Sequence, residues 1–280
     1  MVLIDGKKVS AEVRRRLADE TQELKEKTGK VPGLATVLVG DDPASAVYVR
    51  NKNKICRELG FQSFENHLPV DTSEENLLKL VDELNSNPEV HGILVQLPLP
   101  DQIDSEKILQ AIDPNKDVDG FHPINVGKLV VGNALLTPCT PTGIIELLDH
   151  YDIEISGKHA VVVGRSNIVG KPVSMLLLQR NATITICHSR TKNLPEVTRN
   201  ADILIAAVGR ANFVTEDMVS EGTVVIDVGI NRVDGKLTGD VDFEPVSKKA
   251  SHITPVPGGV GPMTIALLMD NTLKAFKDSI

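Results

Sequence analysis

A lysine interrupts the apolar face of a helix that the sequence predicts over residues 43–59. The positions sharing this face are Tyr48, Lys52, Ile55, Cys56 and Leu59. Desolvation favours the neutral amine of a lysine, which can then act as a base. The alternative is that Lys52 lies at the margin of the face and extends its amine to water.

Three further polar residues follow apolar segments in the first half of the chain. Gln96 is the single polar residue of ILVQLPLP and lies near the carboxyl end of a predicted strand, where open α/β sheets hold their ligands. It could equally cap a neighbouring loop, since a buried amide needs partners. The loop KDVDGF adds Asp117 and Asp119, which are site candidates and also typical turn formers before Gly120.

A turn with two glycines after an apolar strand predicts a dinucleotide site in the second half. In VVVGRSNIVGKPV, Gly164, Ser166 and Gly170 lie between a strand and a helix, where backbone N–H groups can approach a pyrophosphate. Ser166 replaces the second glycine of the usual GxGxxG pattern, and one residue is added before the last glycine. An ordinary strand-to-helix turn is therefore the alternative.

The end of the next strand favours one form of the nicotinamide cofactor. NAD enzymes of this type usually carry Asp or Glu there for the ribose 2′-hydroxyl. Here ATITICHSRT offers Ser189 and Arg190, with Arg165 in the preceding loop. Guanidinium and hydroxyl groups bind a 2′-phosphate, which a carboxylate would repel. The sequence predicts NADP over NAD, although each arginine taken alone is consistent with a solvated loop charge.

From residue 33, short β-branched runs alternate with amphipathic segments, which predicts an α/β fold with parallel sheets covered by helices. The predicted strands are 33–40, 61–68, 91–100, 159–163, 182–187, 202–208 and 223–228. The predicted helices are 43–59, 72–84, 105–112, 141–150, 170–180 and 262–277. Two prolines in PCTP at 138–141 favour an extended crossing, so we expect one domain over 1–138 and a second over 139–261.

Composition and charge argue against several classes of protein. A net charge of −8 does not suit a general nucleic-acid binder, which needs clustered Lys and Arg. The three cysteines lack a CxxC pair and fit a reducing compartment. With no secretory signal and no apolar stretch of membrane-spanning length, we expect a soluble cytoplasmic protein. Neither HExxH spacing nor a GxSxG elbow occurs, so we predict no metal and no serine hydrolase.

Six segments, taken together, resemble the bifunctional methylenetetrahydrofolate dehydrogenase/cyclohydrolase family over nearly the whole chain. They are PASAVYVRNKNK, GILVQLPLP, KDVDGFHPINVG, VVVGRSNIVGKPVSMLL, CHSRT and TPVPGGVGPMT. The resemblance implies two α/β domains across a folate-binding cleft, the second a Rossmann-like NADP-binding domain, with helix 262–280 packing back on the first. It also implies oxidation of 5,10-methylenetetrahydrofolate by NADP and hydrolysis of the methenyl product to 10-formyltetrahydrofolate, in a homodimer.

The resemblance further implies roles for individual residues. Lys52, Tyr48 and Gln96 would surround the reacting one-carbon unit, with Lys52 handling the proton of hydrolysis, and Asp119 would hydrogen-bond the pterin ring. The residues lining the folate side would be Pro257, Gly258 and Gly259. The cofactor contacts would be Gly164, Arg165, Ser166, Ser189 and Ile230. From its residues alone, PVPGGVGPMT is as consistent with a rigid wall for a flat ligand as with an anion-binding loop.

Other functions stay open on the sequence. One is a monofunctional dehydrogenase in which Lys52 only positions the substrate. Another is a non-catalytic regulator that binds NADP or folate without turnover. An unrelated dehydrogenase for amino or hydroxy acids would need a carboxylate-binding arginine and a histidine or lysine acid, which spacing alone does not exclude.

Overall fold

The computed structural model describes residues 1–280, with the side chain of Ala44 excepted. The chain forms two compact units. The three-stranded unit comprises Glu12–Cys139 and Ile265–Ile280, and the six-stranded unit comprises Met1–Ala11 and Thr140–Thr264. Each unit contains a parallel sheet and helices, which confirms the predicted α/β fold class. Among the described residues, no helix combines the length and apolar character needed to cross a membrane.

The elements are numbered in chain order. The strands are β1 (Val2–Leu3), β2 (Gly33–Val39), β3 (Gln62–Leu68), β4 (Gly92–Val95), β5 (His159–Val163), β6 (Thr183–Cys187), β7 (Ile203–Ala206), β8 (Val224–Asp227), β9 (Asn231–Val233), β10 (Lys236–Thr238) and β11 (His252–Ile253). The helices are α1 (Gly6–Thr28), α2 (Pro43–Glu58), α3 (Glu74–Ser86), α4 (Ser105–Ala111), α5 (Pro123–Val131), α6 (Cys139–His150), α7 (Gly170–Gln179), α8 (Leu194–Thr198), α9 (Phe243–Ser247) and α10 (Val260–Asp278).

The sheet of the three-stranded unit has the order β3-β2-β4 with all strands parallel. Every residue of the central strand β2 is buried, as expected for a parallel strand that is covered on both faces. Helix α3 begins after its N-cap Ser73 and buries Leu77, Val81 and Leu84. Because β2 and β4 are parallel neighbours, their carboxyl ends meet at one edge, and the segments that leave this edge are α2 and the loop after β4.

The sheet of the six-stranded unit has the order β1-β11-β8-β7-β5-β6, again all parallel. Strands β7 and β8 are fully buried, and β5 is buried from its second residue onward. The chain runs from β5 to β6 on one side and then returns to place β7 on the other side of β5. This reversal makes the carboxyl ends of β5 and β7 a topological switch point, where open α/β sheets bind their ligands.

The structure differs from the sequence-based expectations at several elements. The elements that the sequence-based ranges do not contain are α1, α5, α8, α9, β1, β11 and the antiparallel pair β9–β10. The expected strand over 91–100 ends at Val95, because Pro98 and Pro100 have no amide to donate to a sheet. Residues 1–11 lie in the six-stranded unit, since β1 pairs with β11, whereas the sequence-based ranges grouped them with 12–138.

Candidate active site

Helix α2 brings Lys52 to the carboxyl edge of the three-stranded sheet. Asp42 is the N-cap of the helix, and its side chain accepts a hydrogen bond from the Ser45 amide at 2.7 Å, with Pro43 in the first turn. Lys52 is half-buried, and its Nζ donates to Oε1 of Gln96 at 3.0 Å. The sequence-predicted residues Lys52 and Gln96 therefore meet.

Gln96 follows β4 directly, and its side-chain amide has one orientation. Its backbone amide donates to the carbonyl of Val37 on β2 at 2.9 Å, which fixes its position at the sheet edge. Its side-chain Nε2 donates to the carbonyl of Leu97 at 2.7 Å. Because that carbonyl can only accept, Oε1 must face the lysine. The amide is thus a fixed acceptor that holds the amine of Lys52.

Tyr48 lies one turn before Lys52 on α2 and is 41% exposed. The apolar face predicted for this helix is buried only in part, since Cys56 and Leu59 are buried but Tyr48 is not. The exposed ring lies four residues from the lysine, on the same side of the helix. It is therefore available to contact a flat ligand beside Lys52.

The two carboxylates of the loop after β4 have different surroundings. Asp117 is buried, and its oxygens accept hydrogen bonds from the amides of Phe121 at 3.2 Å and His122 at 2.8 Å and from Nδ2 of Asn125 at 2.9 Å. Asp117 is thus the turn former of the loop. For Asp119, no donor among the described residues binds the carboxylate, so it remains free to accept a hydrogen bond from a ligand.

Burial raises the pKa of the Asp119 carboxyl to about 6, with the charge of Asp117 acting in the same direction. The positive charge of Lys52 opposes the shift, which places the lysine and this carboxylate in one electrostatic site. The site therefore combines an amine, a fixed amide and a partly desolvated carboxyl. These groups come from Lys52, Gln96 and Asp119, which are far apart in the sequence.

The support beneath Asp119 was not predicted from the sequence. Asn271 of α10 is fully buried, and its Nδ2 donates to the carbonyls of Val118 and Thr137, each at 2.8 Å. The thiol of Cys139 also donates to the Val118 carbonyl, at 3.2 Å. Burial raises the pKa of Cys139 well above its usual range, so this thiol is protonated and not a nucleophile. The signal in the sequence was a polar Asn within the apolar stripe of the last helix.

In the glycine-containing turn of the six-stranded unit, the backbone passes close to a neighbouring loop. Gly164 has φ +134°, and a Cβ there would overlap the carbonyl of Ala207 in the loop after β7. A Cβ on Gly170 would overlap the backbone of Gly164. The hydroxyl of Ser166 accepts from the amides of Val169 at 3.1 Å and Gly170 at 3.2 Å, so serine here fixes the turn that enters α7.

The loop after β6 lies next to this turn. The amide of Gly164 donates to the carbonyl of Cys187, the last residue of β6, at 2.9 Å. Ser189 and Arg190 follow and are exposed, as is Arg165. The strand end carries no carboxylate, so the local chemistry of hydroxyl and guanidinium groups fits a phosphorylated ribose.

The remaining candidates also lie in the six-stranded unit. Ile230 follows β8 at the carboxyl edge and is 49% exposed. Gly258 has φ +113°, and its carbonyl accepts a hydrogen bond from the Lys7 amide at 3.1 Å. Gly259 is closely packed, since a Cβ on Gly6 would overlap the carbonyl of Gly259. Pro257 precedes them and is exposed. These residues thus belong to the unit with the glycine turn, and Lys52, Gln96 and Asp119 belong to the other unit.

One α/β unit carries a glycine turn at the switch point of its parallel sheet. The other carries the amine of Lys52, the amide of Gln96 and the carboxyl of Asp119. Together they define a nicotinamide-dependent enzyme of two domains. Two family descriptions match the chain: residues 4–119 match the catalytic domain of tetrahydrofolate dehydrogenase/cyclohydrolase, and residues 138–280 match its NAD(P)-binding domain. The chain belongs to the tetrahydrofolate dehydrogenase/cyclohydrolase family.

Similar proteins cover the chain from end to end. The bifunctional protein FolD of Halalkalibacterium halodurans is 60% identical over 99% of both chains. The crystal structure of the bifunctional enzyme FolD from Campylobacter jejuni superposes with a TM-score of 0.98 at 52% identity, covering 100% of both chains. The Trypanosoma brucei enzyme, in complex with NADP and an inhibitor, gives a TM-score of 0.96 at 40% identity, covering 100% of this chain and 98% of its own. The predicted family, the bifunctional enzyme class and the NADP cofactor are confirmed.

Proposed function

We propose that the chain oxidises 5,10-methylenetetrahydrofolate with NADP and hydrolyses the resulting methenyl compound to 10-formyltetrahydrofolate. The observation that carries this proposal is the hydrogen bond between Lys52 and Gln96 beside the partly desolvated Asp119. An amine that is held by a fixed amide next to a carboxyl suits the hydrolysis of a cationic one-carbon unit, which needs a proton acceptor. Family membership supports both activities.

The oxidation needs positioning more than acid–base chemistry. When bound, NADP supplies the acceptor for the hydride that leaves the methylene bridge, and the product cation is delocalised over the N5 and N10 atoms of the folate. No strong base is required, so orientation of the folate accounts for most of the rate. Asp119 accepts hydrogen bonds from the pterin ring, and the exposed ring of Tyr48 supports the folate beside Lys52.

The hydrolysis needs a group that takes a proton. Water adds to the cationic carbon, and its proton passes to the amine of Lys52, which acts here in its neutral form. The carbon–N5 bond then breaks as the new hydroxyl loses its proton and N5 gains one, which leaves the formyl group on N10. Gln96 holds the amine of Lys52 through the 3.0 Å hydrogen bond, which limits the orientations in which the amine can meet the attacking water.

The residues for the cofactor fit a phosphorylated dinucleotide. Gly164 and the turn held by Ser166 would approach the pyrophosphate, and Arg165, Ser189 and Arg190 would bind the 2′-phosphate. Ile230 would contact the cofactor from the loop after β8, and Pro257, Gly258 and Gly259 would line the folate. The buried free thiols of Cys56, Cys139 and Cys187 support a cytoplasmic location, and the family resemblance supports a homodimer.

The purified protein is expected to reduce NADP when 5,10-methylenetetrahydrofolate is supplied. Absorbance of the reduced cofactor reports the first activity, and faster decay of 5,10-methenyltetrahydrofolate than without enzyme reports the second. Repeating the first assay with NAD measures cofactor preference. If neither cofactor is reduced, the dehydrogenase assignment fails and a cyclohydrolase or a folate-binding protein remains.

Acidification below pH 6 is expected to weaken folate use through Asp119. Its pKa is raised to about 6, so the carboxylate acceptor is present above that pH and is lost by protonation as the pH falls. If only the ionised form binds the pterin, kcat/KM should fall about tenfold per pH unit below the pKa.

The measurement is kcat/KM of the dehydrogenase between pH 5 and pH 8 for the native protein and for Asp119→Asn, with activity restored at pH 7 as the control for acid inactivation. The native profile should bend near pH 6, and the variant should be slower without that bend. A bend of the same size in Asp119→Asn would assign the titration to another group.

A further inference from the structure

Two buried carboxylates lie together at the carboxyl edge of the six-stranded sheet. Asp227 is the last residue of β8 and is 3% exposed, and Asp240, after β10, has no exposed surface. Among the described residues, no lysine or arginine forms an ion pair with either carboxylate. A buried charge without a counterion is costly, so its hydrogen bonds must compensate for the loss of water.

Asp240 accepts four hydrogen bonds. Its Oδ2 accepts from the amides of Val208 at 2.6 Å and Gly209 at 2.9 Å, and its Oδ1 accepts from the amide of Arg210 and from Nδ2 of Asn231, both at 2.9 Å. Three successive amides of the loop after β7 thus point at one carboxylate. The conformation of this loop therefore depends on a side chain with two accepting oxygens at position 240.

Asp227 in turn fixes Asp240. Its oxygens accept from the amides of Gly229 at 2.9 Å, Asp240 at 2.8 Å and Val241 at 3.0 Å. A Cβ on Gly229 would overlap Asp240, and one on Gly239 would overlap the carboxylate of Asp227. The two glycines therefore leave the space that the carboxylates occupy, and the loops after β7, β8 and β10 are tied into one assembly.

This assembly lies at the switch point of the sheet. The loop after β7 contacts the cofactor turn, because Ala207 is the residue that leaves no room for a Cβ on Gly164. Ile230 stands between Gly229 and Asn231, each of which donates to one of the two carboxylates. The backbone that a dinucleotide would approach at this edge is therefore held from beneath by Asp227 and Asp240.

We propose that Asp240 is a positioning residue for the nicotinamide dinucleotide, fixing the loop 207–210 and Ile230 in the conformation that receives the cofactor. This inference rests on the proposed function only in taking NADP as the ligand. Asp240 is buried and touches no ligand itself. It acts through the backbone that it holds.

The test is Asp240→Asn, assayed for both activities. The amide has the shape of the carboxylate, but its NH2 group would face donors that need an acceptor. KM for NADP is expected to rise about tenfold, with kcat at saturating NADP changed less. Hydrolysis of 5,10-methenyltetrahydrofolate, which needs no hydride acceptor, is expected to stay within about twofold. A general loss of folding would lower both rates together.

The matched control is Asp202→Asn at the opposite edge of the same sheet, where the carboxylate accepts from the His159 amide at 2.8 Å. It should leave KM for NADP unchanged. Should Asp240→Asn not fold, Asn231→Ala removes one donor only and is expected to raise KM for NADP about threefold.

In Asp240→Asn that remains folded, an unchanged KM for NADP or equal losses of both activities overturns the inference. If Asp240→Asn does not fold, an unchanged KM in Asn231→Ala overturns it as well. A native protein that reduces no cofactor would instead refute the proposed function.

Discussion

Replacement of Lys52 by methionine is expected to abolish hydrolysis of the methenyl compound while hydride transfer continues. Loss of a positioned proton acceptor costs about 10²- to 10⁴-fold in rate. The oxidation has no comparable proton transfer, so it should fall less than about tenfold, through looser folate positioning. Methionine keeps the length and apolar stem of the side chain but cannot donate to Gln96 or take a proton.

Separate assays for the two activities make this prediction decisive. Decay of 5,10-methenyltetrahydrofolate without cofactor measures hydrolysis, and formation of reduced cofactor from the methylene substrate measures oxidation. The control is Lys54→Met on the same helix, because Lys54 is exposed and pairs only loosely with Glu58, at 3.7 Å. It should retain both activities. Equal loss of both in Lys52→Met would favour a lysine that only positions the substrate, as in a monofunctional dehydrogenase.

Most of the fold follows from local patterns, because parallel strands covered on both faces are continuous apolar runs. GLATVLV in β2 and HAVVV in β5 are examples, and both were predicted. Helix α1 was not predicted, although Val9, Val13 and Leu17 recur at intervals of four and are buried. Its apolar stripe is narrow and surrounded by charged residues, so the signal is weak.

In the three-stranded unit, the site residues were clearest where an unusual residue stood in an apolar setting. Lys52 and Gln96 stood out for that reason, and the structure joins them. Local sequence could not tell which of Asp117 and Asp119 shapes the turn, since both precede Gly120. That assignment depends on donors from α5 and its entrance, which only the folded chain brings to Asp117.

Long-range hydrogen bonds explain what the sequence could not reveal. Asn271 reaches the carbonyl of Val118 across 153 positions of sequence. Asp240 holds the loop around Gly209 from 31 positions away. Neither residue belongs to a motif with local spacing, so its role depends on tertiary structure alone. Both lie beneath a site and not on its surface, and they stabilise the backbone that carries the exposed groups.

Ser189→Asp is expected to reverse the preference for NADP. The introduced carboxylate would stand after β6, where NAD enzymes place one for the ribose 2′-hydroxyl, and it would repel a 2′-phosphate. KM for NADP should rise about 100-fold, equivalent to about 2.7 kcal/mol of lost binding, while KM for NAD stays equal or falls. Steady-state kinetics with each cofactor at saturating 5,10-methylenetetrahydrofolate measure the change.

A matched charge at the other end of the same strand separates local repulsion from a general effect. Thr183 is exposed at the amino end of β6, and the carboxyl end of this strand at Cys187, two residues before position 189, lies about 13 Å away. That separation exceeds the Debye length of about 8 Å at physiological salt, so Thr183→Asp should leave both KM values unchanged. If Ser189→Asp keeps KM for NADP within about threefold, the 2′-phosphate is bound by Arg165 and Arg190 without Ser189. A carboxylate in contact with the 2′-phosphate would raise KM for NADP far more than threefold.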